Sequence, residues 1–187
     1  MGSDRNDVLG AAQRVLNRDP AASMSVIAEA AGVSRATIHR HFDSRDALLV
    51  ELGTRSLDQW ERRLDAAAVE DVASTGDATA IRSVLEALVV GYVDDADDHG
   101  FALTDPVILA NAALVERTQV LADREGVLFA AAQEAGVLRA DLPLRWFGHT
   151  IYGQLVAGRE AVRLGDVARR DVAHLVLSTL LTGVSAP

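Results

Sequence analysis

The sequence predicts an all-α fold of about nine helices, and three observations predict it. Apolar residues recur at three- and four-residue spacing along most of the chain, the period of a helix that buries one face. Nowhere do apolar and polar residues alternate as a half-buried strand requires. The breaks between apolar runs carry helix punctuation, with Ser or Asp before a run and Gly after it. Composition agrees. The chain is 49% hydrophobic but only 4% aromatic, and 187 residues suffice for a substantial core.

The elements follow in order. Residues 4–18 form a first helix, with Val8, Leu9, Ala12, Val15 and Leu16 on one stripe and Arg5, Arg14 and Arg18 off it. Arg5, near the terminus, either reaches a phosphate or is merely solvated. A loop through Asp19-Pro20 leads to Ser23, an N-cap whose hydroxyl can accept a first-turn amide. Ile27, Ala28 and Ala31 mark the next helix, which Gly32 ends in the left-handed conformation that glycine adopts at little cost. Ser34 caps a short helix with Ile38 and Phe42 on its inner face and Ala36, Thr37, His39 and Arg40 pointing away. Ser44 then caps a long helix to about residue 68, through Leu48, Leu49, Leu52, Leu57, Trp60 and Leu64.

Residues 71–77, carrying Ser74-Thr75-Gly76, read as a break. A helix over about 77–95 buries Ile81, Leu85, Leu88 and Val89 and gives way to an acidic loop at Asp94-Asp95-Ala96-Asp97-Asp98-His99-Gly100. Carboxylates at a helix C-terminus oppose its dipole, so this end is expected to fray. The cluster lacks the alternation of a cation-binding loop, so no metal is assigned to it. Asp105-Pro106 starts the next helix. Its pattern breaks near Ala112–Ala113 and resumes until Gly136. Asp141-Leu142-Pro143 opens a helix to about Leu164, and Gly165-Asp166 separates it from the last, about 167–183.

Charge sharpens the division of the chain. Net charge is −9, yet residues 1–55 hold 7 Arg against 7 Asp and Glu, and the whole acidic excess lies beyond them. Every one of the 18 cations is arginine, the side chain suited to bidentate phosphate and guanine contact. No run of eighteen apolar residues could cross a membrane, and the N-terminus lacks a signal-peptide pattern. The absence of cysteine fits a cytoplasmic protein. These features exclude neither DNA nor a small-molecule partner.

Two short helices around a tight glycine turn, the second with a polar outer face, are what major-groove reading requires. Ile27-Ala28, Ala31-Gly32-Val33-Ser34, Thr37-Ile38-His39, His41-Phe42 and Arg45 together resemble the DNA-binding head of the TetR/AcrR family of bacterial repressors. Two positions depart from its pattern: His39 stands where the family has Tyr, and Arg45 where it has Lys. Arg45 keeps the cation. His39 keeps a ring and a donor but is shorter, so that phosphate contact is expected to be weaker. The resemblance implies a head over residues 1–50, with the motif at about 23–42, and a ligand-binding and dimerisation body over 51–187. It further implies a homodimeric repressor that binds a palindromic operator and is released by a small-molecule inducer. Ser25, Arg35, Ala36, Thr37 and Arg40 would lie near base edges, Ser23, His39, His41 and Arg45 on phosphates, and Ser34 also at the DNA-binding surface.

Within the body, Tyr92, Phe101, Phe129, Trp146 and Tyr152 could wall a pocket, with Asn111, Arg124 and His149 as polar fixtures. Mixed aromatic and amide lining favours a mostly apolar, neutral or acidic ligand. The last two helices carry apolar residues over more than one face. Ile151, Leu155, His174, Leu177 and Leu181 are the expected dimer contacts, since in this family those helices pair with their counterparts. No nucleophile elbow, P-loop or zinc motif is present, so neither enzyme activity nor a cofactor is expected. A helical protein-interaction module that no longer binds DNA is the rival reading.

Overall fold

The computed structural model describes residues 4–184 and is α-helical, with no β-strand among them. The helices are α1 (Arg5–Arg18), α2 (Met24–Ala30), α3 (Arg35–His41), α4 (Arg45–Ala66), α5 (Val69–Thr75) and α6 (Ala78–His99). They continue as α7 (Pro106–Ala110), α8 (Ala112–Glu134), α9 (Leu144–Leu164) and α10 (Val172–Val184), with 3-10 turns at Gly100–Leu103 and Arg169–Asp171. Every helix read from the sequence is present, and α5 is additional.

α5 lies where a break was expected. Ala68 takes the left-handed conformation (φ 47°) and turns the chain out of α4, and Gly76 (φ 64°) ends the new helix. The Ser-Thr-Gly stretch is therefore a last helical turn. The Ser74 and Thr75 hydroxyls donate to the Asp71 and Val72 carbonyls, each at 2.7 Å.

The acidic loop is also corrected. Asp94–His99 are the last residues of α6, held by partners distant in the sequence. Arg63 meets Asp95 through two bonds of 2.6 Å, and Arg169 meets Asp94 at 3.1 Å. These cations offset the repulsion that predicted fraying. Among the described residues no group of His, Asp and Glu is arranged to hold a metal ion.

The chain divides into two compact units. One runs to Asp58 and takes in Asp97–Glu116; the other comprises Gln59–Ala96 and the chain from Arg117 onward. The first unit buries Leu9 and Leu16 of α1, Ile27 of α2, Ile38 of α3 and Leu48, Leu49 and Leu52 of α4 without exposure. Phe101, Ile108 and Leu114 complete this core. Each such side chain contributes about 1.5–3 kcal/mol through burial. Polar clamps lock the same unit. Arg5 pairs with Glu51, donates to the His41 carbonyl at 2.6 Å and lies 4.4 Å above the Phe42 ring. It is neither free for a phosphate nor merely solvated, as the sequence suggested.

The second unit packs α6, α8, α9 and α10 through Ile81, Leu88, Leu121, Leu128, Phe147 and Val176. Two close approaches fix its helices. The Arg63 guanidinium lies where a Cβ on Gly91 would sit, 2.0 Å from Nη1, and a Cβ on Gly158 would meet Val172 at 2.9 Å.

Candidate nucleic-acid interface and body site

The interface is built from α2, its turn and α3. The Ser23 hydroxyl accepts the Val26 N–H at 3.4 Å, and Gly32 (φ 65°) makes the turn between the helices. The Ser34 hydroxyl accepts the Thr37 N–H at 3.1 Å and lies 3.0 Å from the Thr37 hydroxyl. Ile38 and Phe42 anchor the inner face of α3, at 0% and 2% exposure. That anchoring leaves Ser34, Arg35, Ala36, His39 and Arg40 exposed, with Thr37 half-buried at the edge. Ser23 is exposed and Ser25 half-buried on α2. Arg35, Ala36 and Arg40 thus stand on the outward side of α3.

Two expected phosphate contacts sit differently. Arg45 is half-buried, and its guanidinium donates to the Ala22 carbonyl at 3.1 Å and the Pro20 carbonyl at 2.5 Å. It ties the loop before α2 to the start of α4, a role that its position after Ser44 does not reveal. His41 is half-buried, and its Nε2 is enclosed with no hydrogen-bond partner. Its ring is tilted at 55° to that of Phe42.

The expected pocket residues divide between the two units. Phe101 belongs to the core of the first unit, at 2% exposure. Asn111, also in that unit, caps α8 by accepting the Leu114 N–H at 3.1 Å. Both are corrected to structural roles. Arg124 binds Asp65 at 2.9 Å and Glu70 at 2.7 Å, so its charge is already matched. Trp146, His149 and Tyr152 are exposed on α9. Only Tyr92 and Phe129 lie in the interior of the second unit, at 8% and 4% exposure.

The interior instead holds a group that the sequence reading missed. Glu125 is 5% exposed on α8, and its Oε1 accepts the Tyr92 hydroxyl at 2.5 Å. The Tyr92 oxygen in turn accepts the Trp60 indole N–H at 3.2 Å. Burial pushes the Glu125 carboxyl up to about 7, against the smaller effect of the Tyr92 bond. Burial, with Glu125 beside it, also raises the Tyr92 phenol. The signal was available: Glu125 stands alone in the apolar stripe Leu121, Leu128, Phe129 and Ala132. Nearby, Leu85, Val89, Leu138, Phe147 and Ile151 line a small crevice of about 20 Å³, room for little more than one water.

Of the five expected dimer contacts, two are buried within the chain, two are half-buried and one is exposed. Ile151 and Leu155 are 6% and 9% exposed, while Leu177 and Leu181 are half-buried beside the crevice. These residues lie where α9 and α10 pack against each other. His174 alone of the five is exposed. The outward apolar residues are Leu144 (36%), Trp146 (53%), Tyr152 (42%) and Leu164 (59%) of α9 and Leu175 (44%) of α10.

Comparison with known proteins bears on the same regions. The family model for bacterial regulatory proteins of the tetR family matches residues 8–52. The HTH-type transcriptional repressor LfrR of Mycolicibacterium smegmatis is 27% identical over 180 residues, covering 96% of this chain and 89% of that protein. The HTH-type transcriptional regulator NfxB of Pseudomonas aeruginosa is 28% identical over 176 residues, covering 90% and 87% respectively. The crystal structure of LfrR in complex with proflavine superposes with a TM-score of 0.69 at 25% identity, covering 98% of each chain.

Proposed function

With this chain a member of the TetR family of DNA-binding transcriptional regulators, we propose that it represses from a palindromic operator as a homodimer and is released by a small molecule. The observation that carries this reading is the outer face of α3, polar and exposed while its inner face is fully buried. A helix held so firmly from behind can enter a major groove without rearranging. Arg35 and Arg40 are the base readers, each worth about 1–3 kcal/mol of discrimination when bidentate to guanine. Ser25, Ala36 and Thr37 line the same surface. Ser23, Ser34 and His39 contact phosphates and set register, helped by the N–H groups of Arg45 that the loop carbonyls leave free.

A second copy supplies the second head. Trp146, His149 and Leu164 of α9, with His174 and Leu175 of α10, form outward stripes suited to a twofold contact. Twofold symmetry in the protein calls for a palindrome in the operator. The complex of LfrR with proflavine supports a small-molecule ligand for the body of this chain. Release then equals the ligand's difference in affinity for the DNA-competent and incompetent states.

Selection of bound fragments from sheared genomic DNA tests the reading. It predicts enrichment of one inverted repeat, protected symmetrically in a footprint. Failure to enrich any sequence would overturn it in favour of the protein-interaction module.

A further inference from the structure

We infer that Ala36 reads a thymine: its methyl group meets the C5-methyl of a thymine that lies within two base pairs of the guanine bound by Arg40. The inference rests on the reading that α3 enters a major groove, and it names two neighbouring bases of the half-site.

α3 presents Ala36 where a short side chain can touch a base. Residues four apart on a helix stand one above the other, so Ala36 and Arg40 share a face. Ile38 and Phe42, at 0% and 2% exposure, occupy the opposite side. Of the four exposed residues of α3, Arg35, His39 and Arg40 are long or carry a ring, whereas Ala36 ends at a methyl. The helix backbone can therefore come closest to a groove floor at Ala36. Thr37 is half-buried at the edge, and its hydroxyl lies 3.0 Å from that of Ser34, so it leaves this place to Ala36. A methyl reaches no further than its backbone allows, so the backbone must be held in place. The Ser34 hydroxyl accepts the Thr37 N–H at 3.1 Å in the first turn, and Arg5 donates to the His41 carbonyl at 2.6 Å in the last.

The chemistry of the groove selects the base. Thymine alone of the four bases presents a methyl in the major groove, and alanine has only a methyl to offer in return. The two methyls leave water together, which stabilises the contact without any directional bond. A guanine or cytosine at the same place would turn a polar edge toward Cβ and lose its water partner. Helix geometry gives the spacing. The Ala36 and Arg40 Cα atoms are separated by about 6 Å along the axis. The Arg40 side chain leans toward the helix N-terminus, over the turn that carries Ala36. Base pairs stack about 3.4 Å apart, so the guanidinium and the methyl address pairs no more than two steps from each other. Val26 of α2 is also apolar and 46% exposed, and the test separates it from Ala36.

The test uses the full chain and the operator selected from genomic DNA, with affinity read by anisotropy. Each thymine is replaced in turn by deoxyuridine, which lacks only the C5-methyl, at symmetric positions of both half-sites. One such replacement should weaken wild type by about ten- to twentyfold, the effect of leaving two methyl contacts unmade. Ala36→Gly, which removes Cβ, should bind the thymine and uridine operators within about twofold of each other. That ratio is taken within one protein, so a general loss of stability or affinity in the variant cancels. Ala36→Ser should shrink the ratio too, and it decides if the glycine variant fails to fold. Exchange of each guanine for 7-deazaguanine identifies the base read by Arg40 as the one whose effect Arg40→Ala abolishes. The sensitive thymine should lie within two pairs of it. No sensitive thymine, a sensitivity that survives in the Ala36 variants, no guanine assigned to Arg40, or a greater separation would each overturn the inference. An operator bound without any thymine effect overturns this inference alone, whereas enrichment of no sequence overturns the regulator reading with it.

Discussion

Asn17 closes the carboxyl end of α6 by donating to the Asp98 main-chain oxygen at 2.5 Å. The same amide nitrogen donates to Asp97 at 2.8 Å, and the amide oxygen accepts the Phe101 N–H at 3.3 Å. One residue near the end of α1 thus serves three main-chain groups some eighty positions away. Helix carbonyls left without partners are costly where water cannot replace them. Asn17→Ala should destabilise the chain by about 1–2 kcal/mol, read as a lower urea midpoint at an unchanged slope. An unchanged midpoint would mean that water satisfies these groups equally well.

Arg40, the proposed base reader, and Arg45 have different surroundings. Arg40 is exposed on α3, whereas Arg45 holds the Pro20 and Ala22 carbonyls. Arg45→Ala should lower thermal stability, with a loss of about 1–2 kcal/mol, and weaken DNA binding as well. Arg40→Ala should leave the melting temperature in place. Calorimetry on both variants checks the distinction.

The stability of the chain should also carry the signature of Glu125. Its folded value of about 7 lies above the ordinary 4.5, so the folded state holds an extra proton between those limits. The burial cost is absent below about pH 4.5 and complete above about pH 7, where it reaches about 3 kcal/mol. Glu125→Gln should therefore gain stability over wild type as pH rises from about 5 to 8. Glu51 and Glu70, lowered by Arg5 and Arg124, slope the other way but are common to both proteins and cancel in the difference. Urea titrations at both pH values measure it.

His39→Tyr should tighten DNA binding by roughly two- to tenfold, to a similar degree on specific and unrelated sequences. The longer ring restores a phosphate contact, and such contacts carry affinity without sequence choice. Anisotropy on an operator and on scrambled DNA would reveal any sequence-selective gain, which would contradict this role.

The helices were legible because their ends are written locally. Ser23, Ser34, Asp105-Pro106, Gly136 and Gly165 stand where helices start or stop. The failures arose where distance along the chain decides. The acidic end of α6 looked unstable because Arg63, Arg169 and Asn17 cannot be paired with it from sequence alone. α5 was hidden because Ala68, not a glycine, takes the left-handed turn that starts it. The outer face of α3 was readable from Ile38 and Phe42, which fix what points inward. The body site was not, since aromatic identity does not tell which unit a residue joins, as Phe101 illustrates. Glu125 stands in the apolar stripe of its helix, but its Tyr92 partner on another helix cannot be read from the sequence.

The most direct measurement of the central claim is anisotropy of the selected operator with wild type and Arg40→Ala at several salt concentrations. The account predicts salt-sensitive binding that Arg40→Ala weakens by about ten- to a hundredfold on the operator and far less on unrelated DNA. Equal affinity of the two proteins for the operator, at every salt concentration, would contradict reading of DNA by the outer face of α3.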